Sequence, residues 1–388
     1  MRSLSDTISQ LASPHRKFAA DSFGTTSRLT RIADFGSNPG ALTGHIYVPE
    51  NLTAGAALVV VLHGCTQNAA GYDFGSGWSE MADRHGFALL YPEQQRENNP
   101  NRCFNWFLPT DTRRGSGEAF SIRQMIAAVV ADHPIDAARV FVTGLSAGGA
   151  MAAVMLATYP EVFAGGAIIA GLPYGCASNL PQALQLMRGQ GIPDTGELVS
   201  RFRAASSHSG PWPTLSVWHG SADSTVQPAN ARAIVAAWCE IHGVPAKPSV
   251  TEEIDGSSRR VWRKGDGRDV IEAYTIKGME HGTPLDSSNP EGCGRAGAFM
   301  IDVGISSTQR ICEFWGLPSR NKIITLSELD VDLSAHHPID AAPMLVISEH
   351  DRNDALWFTP QHWKGETARG ANVRKIIENA LRSAGLME

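Results

Sequence analysis

The sequence predicts an α/β fold: a mostly parallel sheet with helices on both faces. Short apolar, β-branched runs recur between residues 45 and 278, and segments of helical period lie between them. A strand buried on both sides reads as an unbroken apolar run, so this alternation is the pattern of a parallel sheet covered by helices.

The strand-like runs are, in order, "HIYVP" (45–49), "ALVVVLHG" (57–64), "FALLYPE" (87–93), "RVFVTGLS" (139–146), "FAGGAIIAG" (163–171), "TLSVWHG" (214–220) and "VIEAYTIKG" (270–278). The helix-like segments are "WSEMADRH", "FSIRQMIAAVVADH", "GGAMAAVMLATYP" and "NARAIVAAWCEIHG". Two regions break the rhythm. Residues 173–213 are too long for an ordinary connection and form a candidate cap insertion. After about residue 318 the alternation stops, and the chain ends in an amphipathic helix with Val373, Ile376, Ile377, Ala380 and Leu381 on one face. The expected organisation is an N-terminal segment over 1–40, an α/β domain over 41–318 and a C-terminal extension over 319–388.

Composition narrows the function. Of 388 residues, 43% are hydrophobic and 19% charged, enough apolar content for one large core. A net charge of −6 without any Lys/Arg run argues against nucleic acid or an anionic membrane as partner. No apolar stretch reaches the roughly 20 residues of a membrane helix, and the N-terminus lacks the apolar core of a secretory signal. The chain as written is expected in the cytoplasm, or outside it if a signal was removed. Six cysteines without CxxC spacing make neither a disulfide scaffold nor a zinc site, so no metal is expected.

The chemistry concentrates at "GLSAG" (144–148), which fits GxSxG between a strand and a helix. There the serine is forced into a strained turn, and Ser146 presents its hydroxyl at the sheet edge beside a helix N-terminus. A serine needs a base, and the base an orienting acid, in the chain order Ser, Asp, His for this architecture. Asp223, just past "TLSVWHG", and His281, just past "VIEAYTIKG", meet that order. Asp351 follows a strand-like run but comes after His281, and Asp255, Asp286 and Asp302 lack comparable placement. His63 and His219 also end strands and read better as loop-shaping donors than as bases. A tetrahedral intermediate needs two amide donors; the N–H groups of Ala147 and, from the loop "HGCTQ", Cys65 are the candidates.

The set "VVVLHGCTQNAAGYD", "YPEQQ", "CFNWF", "GLSAGGAMAAVMLATYPEVFAGGAIIAGLPYGCA", "SVWHGSADSTV" and "GMEHGTPLD" resembles the polyhydroxybutyrate depolymerase family of esterases, with its feruloyl and acetylxylan esterase relatives. The likeness covers roughly residues 40–316. It implies an α/β-hydrolase fold, Ser146, Asp223 and His281 as triad, Cys65 and Ala147 as oxyanion donors, no cofactor, and an ester or polyester oligomer as substrate. It also implies a Cys65–Cys103 bridge, which a cytoplasmic chain would keep reduced. Pairing of Cys176, Cys239, Cys293 and Cys312 stays open, a Cys239–Cys293 bridge being conceivable. Trp106, in the family-like "CFNWF", and Tyr174, after the strand that follows the nucleophile helix, are candidate substrate-binding residues, whereas Trp78, Trp238 and Trp315 read as core.

The sequence shows no Thr- or Ser-rich linker and no separate β-rich module of the kind that holds secreted depolymerases on solid polymer, which favours oligomers or short acyl esters. A feruloyl or acetylxylan esterase, a peptidase or thioesterase on the same scaffold, and a non-catalytic ligand-binding homologue remain alternatives. The oligomeric state is open.

Overall fold

The computed structural model describes residues 27–317. The elements run β1 (Thr30–Arg31), β2 (Thr43–Tyr47), β3 (Ala56–Leu62), α1 (Ala69–Ser76), α2 (Trp78–His85), β4 (Ala88–Glu93), α3 (Pro109–Thr112), α4 (Gly117–Asp132), β5 (Ile135–Leu145), α5 (Ala147–Thr158) and β6 (Gly165–Ile169). They continue α6 (Leu180–Met187), α7 (Thr195–Ala204), β7 (Thr214–Gly220), α8 (Ala229–His242), β8 (Val250–Ile254), β9 (Ser257–Arg263), β10 (Asp269–Ile276), β11 (Thr283–Leu285), β12 (Met300–Asp302) and α9 (Ser307–Phe314). The C-terminal extension and its expected terminal helix lie outside the described residues.

The main sheet has the order β1-β2-β4-β3-β5-β6-β7-β10-β9-β8. Its centre, β4 to β10, is parallel, and antiparallel strands close both edges. The seven apolar runs of the sequence became β2 to β7 and β10, the strands that build this centre and its β2 flank. Thr30 and Arg31 pair with Ile46 and His45, so the sheet begins upstream of the expected boundary at residue 41.

Alternation along β3 shows why the central strands are apolar throughout. Leu58, Val60 and Leu62 join one core cluster and Ala57, Val59 and Val61 the other, all essentially without exposure. The first cluster is filled from α4, α5, α7 and α8, the second from α1, α2 and α9. Trp78 stacks on Trp315, and Trp315 on Phe141, at centroid distances of 6.1 and 4.8 Å, so these tryptophans are core as expected. Trp238 is buried in the first cluster.

The hairpin β8–β9 had no apolar signature. Its strands "VTEEI" and "SSRRVWR" are charged because they form the sheet edge, where one face meets water and charge blocks edge pairing. The turn between them carries Asp255 at φ 51° and Gly256 at φ 71°, both positive as a type I′ hairpin turn requires. The insertion 173–213 supplies α6 and α7, and Leu198, Val199 and Phe202 of α7 enter the core beside α8, with Phe202 edge-on to Trp238 at 5.1 Å.

Cys65 and Cys103 are joined. The conceivable Cys239–Cys293 bridge does not form: both are free thiols, Cys239 in the first cluster and Cys293 in the second, on opposite faces of the sheet. Among the described residues no helix is long and apolar enough to cross a membrane.

Candidate active site

The parallel centre of the sheet brings the carboxyl ends of β5, β7 and β10 to one edge, and Ser146, Asp223 and His281 follow these three strands. Ser146 sits between β5 and α5 with φ 57° and ψ −116°, a conformation that side chains rarely adopt. Its amide donates to Ile169 O at 2.9 Å and its carbonyl accepts from Ala150 N at 2.8 Å, so the elbow is held by β6 on one side and by α5 on the other. The flanking glycines are sterically required. A Cβ on Gly148 would lie 2.2 Å from Leu62 O, and one on Gly144 2.4 Å from the Gly148 carbonyl. The helix therefore starts in contact with the end of β3, which puts its N-terminus beside the loop "HGCTQ".

Asp223 is buried, and each of its oxygens has a task. Oδ1 accepts from the amides of Thr225 (2.9 Å) and Val226 (2.8 Å), which fixes the turn after β7. Oδ2 accepts from His281 Nδ1 at 2.8 Å. Burial works to raise the Asp223 pKa, but the hydrogen bonds from His219 and His281 outweigh it and hold the carboxyl well below the usual range. With Nδ1 committed to the carboxylate, Nε2 is the ring nitrogen of His281 left to exchange a proton.

The "HGCTQ" loop is organised by His63, which the sequence reads as a loop-shaping donor. His63 Nε2 accepts from Gln94 N at 3.1 Å, which assigns the proton to Nδ1, and Nδ1 donates to Gly64 O at 2.8 Å. Burial pushes the His63 pKa down to about 4, which keeps this neutral form in place. In a trans peptide the carbonyl and the next amide point in opposite directions, so holding Gly64 O aims the Cys65 N–H away from His63. Among the described residues the amides of Cys65 and Ala147 donate to no protein acceptor, the state expected of two oxyanion donors.

Behind this loop lies a buried polar chain. Glu118 accepts from Asn105 N and Asn105 Nδ2, both at 2.8 Å, and from Gln94 Nε2, which also reaches Cys103 O at 3.2 Å. Burial raises the Glu118 pKa well above the usual value, against the pull of these donors. Together with the Cys65–Cys103 bridge, the chain ties segment 99–107 to the oxyanion loop. Gln94 lies in "YPEQQ" and Asn105 in "CFNWF", two of the segments that carry the family likeness, whereas nothing in the sequence marks Glu118; only the fold brings the three together.

The two aromatic candidates are placed differently. Trp106 follows Cys103 in the tied segment, 8% exposed and edge-on to Phe107 at 5.4 Å. Tyr174 is half-buried and, with Leu198, Phe202 and Trp238, lines a small apolar void of about 20 Å³ between α5, α7 and α8. Burial raises the pKa of its hydroxyl.

Comparison with known proteins agrees with this architecture. The chain is 46% identical over 294 residues to poly(3-hydroxyalkanoate) depolymerase C of Paucimonas lemoignei, covering 74% of this chain and 70% of that protein. It is 31% identical over 269 residues to feruloyl esterase B of Talaromyces funiculosus, covering 67% and 74%. Among solved structures, the acetyl xylan esterase from Aspergillus awamori superposes with a TM-score of 0.63 at 26% identity, over 74% of this chain and 99% of that one. These likenesses identify the sheet and its helices as an α/β-hydrolase fold. Residues 42–251 match the family described as esterase PHB depolymerase, and with this match and the similarity to the Paucimonas depolymerase the chain belongs to that family.

Proposed function

We propose that the chain is a serine esterase that cleaves carboxylic esters of hydroxyalkanoate oligomers or short acyl chains through an acyl-enzyme. The observation that carries the reading is the Asp223–His281 pair at 2.8 Å, set on the sheet edge that also carries the strained Ser146 elbow. In the proposed sequence His281 Nε2 takes the Ser146 proton as the hydroxyl attacks the ester carbonyl. The amides of Cys65 and Ala147 stabilise the oxyanion, and His281 then protonates the leaving alcohol. Water, activated by the same histidine, releases the acid and restores Ser146. Asp223, an anion held by two imidazoles and two amides, orients His281 and balances its transient charge.

Trp106 and Tyr174 are assigned to substrate binding, Trp106 because its segment is tied to the oxyanion loop and Tyr174 because it follows β6 next to the elbow. The name of the Paucimonas relative supports hydroxyalkanoate esters as substrate class. A feruloyl or acetylated-sugar ester is the second reading, supported by the Talaromyces and Aspergillus relatives. The closed Cys65–Cys103 bridge supports an oxidising compartment over the cytoplasm, the second of the two locations read from the sequence.

The test is turnover of p-nitrophenyl esters from acetate to octanoate, of 3-hydroxybutyrate oligomers and of methyl ferulate by wild type and Ser146→Ala. Loss of about 10⁴-fold or more in the variant is expected. Equal turnover by the two proteins would remove Ser146 as nucleophile, and a preference for methyl ferulate would select the second reading.

A further inference from the structure

The ring of Phe299 packs edge-to-face against His281, with centroids 6.1 Å apart and planes at 78°. The residue is only partly buried, and its backbone is strained, with φ at 60°. The strain has a local cause. Gly297 and Met300 bond each other in both directions, N to O at 2.9 and 3.1 Å, closing a turn whose central residues are Ala298 and Phe299. Positive φ at the second central position alone is the signature of a type II turn, which calls for glycine there. The chain instead places a bulky aromatic residue in the left-handed region, where such residues are genuine outliers. A strained residue persists where its surroundings over-determine it, and such residues gather at functional sites.

The turn is locked to the loop that carries His281. Thr283 N donates to Phe299 O at 2.8 Å, and β11 pairs in parallel with β12 from Thr283 opposite Met300 to Leu285 opposite Asp302. Ring and imidazole are therefore held in fixed relation by backbone contacts. Phe299 packs against the edge of the second core cluster, but core filling alone does not account for the choice, since a core position would bury the ring fully and would not need the left-handed backbone.

Resting on the reading of Ser146, Asp223 and His281 as a catalytic triad, we propose that Phe299 is a specificity-determining residue that forms the apolar wall of the alcohol side of the site. His281 is the group that hands its proton to the departing alcohol, so an aromatic ring set against the imidazole borders the alcohol more closely than the acyl chain. The ligand class that fits is an ester whose alcohol is itself apolar and extended, such as the hydroxyl end of a neighbouring hydroxyacyl unit.

The experiment compares wild type, Phe299→Ala, Phe299→Gly and Ser146→Ala on butyrate esters of methanol, butanol and benzyl alcohol, and on p-nitrophenyl esters of increasing acyl length, with thermal midpoints for each protein. Both Phe299 variants are expected to lose about tenfold more kcat/KM on benzyl butyrate than on methyl butyrate. The ranking along the acyl series should stay as in wild type. Phe299→Gly should melt a few degrees above Phe299→Ala, because only glycine relieves the backbone. An unchanged benzyl-to-methyl ratio in Phe299 variants, with turnover still dependent on Ser146, overturns the proposal and leaves the triad standing. Turnover by Ser146→Ala overturns the triad, and the assignment of Phe299 with it.

Discussion

His219 Nε2 lies 3.3 Å from Asp223 Oδ2, the oxygen that His281 Nδ1 holds at 2.8 Å. One carboxylate oxygen thus faces two imidazoles, one from the end of β7 and one from the loop after β10. His219 Nε2 is also 2.7 Å from Val226 O, while its buried Nδ1 has no partner among the described residues. A ring anchored this way shares its Nε2 proton between the carbonyl and the carboxylate and takes part of the negative charge of Asp223. Replacing it by leucine should lower kcat by roughly ten- to a hundredfold, the worth of a hydrogen bond to a charged group. With one donor fewer, Asp223 Oδ2 is held less firmly in the orientation that aligns His281. A His219→Leu enzyme with wild-type kcat would reduce the residue to a packing role.

His63 offers a separate handle on the oxyanion donors. His63→Leu frees the Gly64 carbonyl and with it the direction of the Cys65 amide. The loss should fall on kcat, by about tenfold or more, with KM little changed, because the donor acts on charge that develops only in the transition state. A Cys103→Ser variant, which opens the bridge to Cys65, should show the same split together with a lower thermal midpoint. A rise in KM at constant kcat in either variant would place the loop in ground-state binding.

Stability should fall on acidification, and His242 contributes to it. Its Nε2 contacts Pro213 O at 3.0 Å and its buried Nδ1 has no partner among the described residues. Burial, aided by Lys264, pushes its pKa down to about 4. Unfolded, the same side chain titrates near 6.5, so the unfolded state binds more protons between those values and stability drops as pH falls through that window. The contribution is on the order of 3 kcal/mol at most. Denaturant unfolding of wild type and His242→Gln at pH 7 and pH 4.5 checks it: the variant should lose less stability on acidification, and equal losses would assign the acid sensitivity elsewhere.

The central strands and the order of Ser146, Asp223 and His281 were readable because burial on both faces and the chain order of an elbow, an acid and a base leave marks in local sequence. The hairpin β8–β9 was missed for the converse reason: edge strands shed the apolar pattern that was being sought, although Asp255-Gly256 is a turn signal that alone could have found it. Cys239 and Cys293 were considered as partners because sequence says nothing about the face of the sheet on which a residue lies. The supporting shell was legible only in part. His63 and His219 read as loop-shaping donors, yet the atoms they hold, Gly64 O and Asp223 Oδ2, are set by tertiary placement. Phe299 left no signal at all, since neither its left-handed backbone nor its contact with His281 follows from the letters around it.

The parallel pairing of β6 with β7 runs from Gly165 opposite Thr214 to Ile169 opposite Trp218, although α6 and α7 intervene. The excursion leaves the sheet after one strand and returns to the register that a short crossover would also give. The segment therefore behaves as a module hung from a rigid frame: its length and sequence can drift while the spacing between the elbow at the end of β5 and the acid after β7 stays set by the ladder. Esterases of differing substrate can share such a frame because a new specificity need not re-solve the alignment of Ser146, Asp223 and His281.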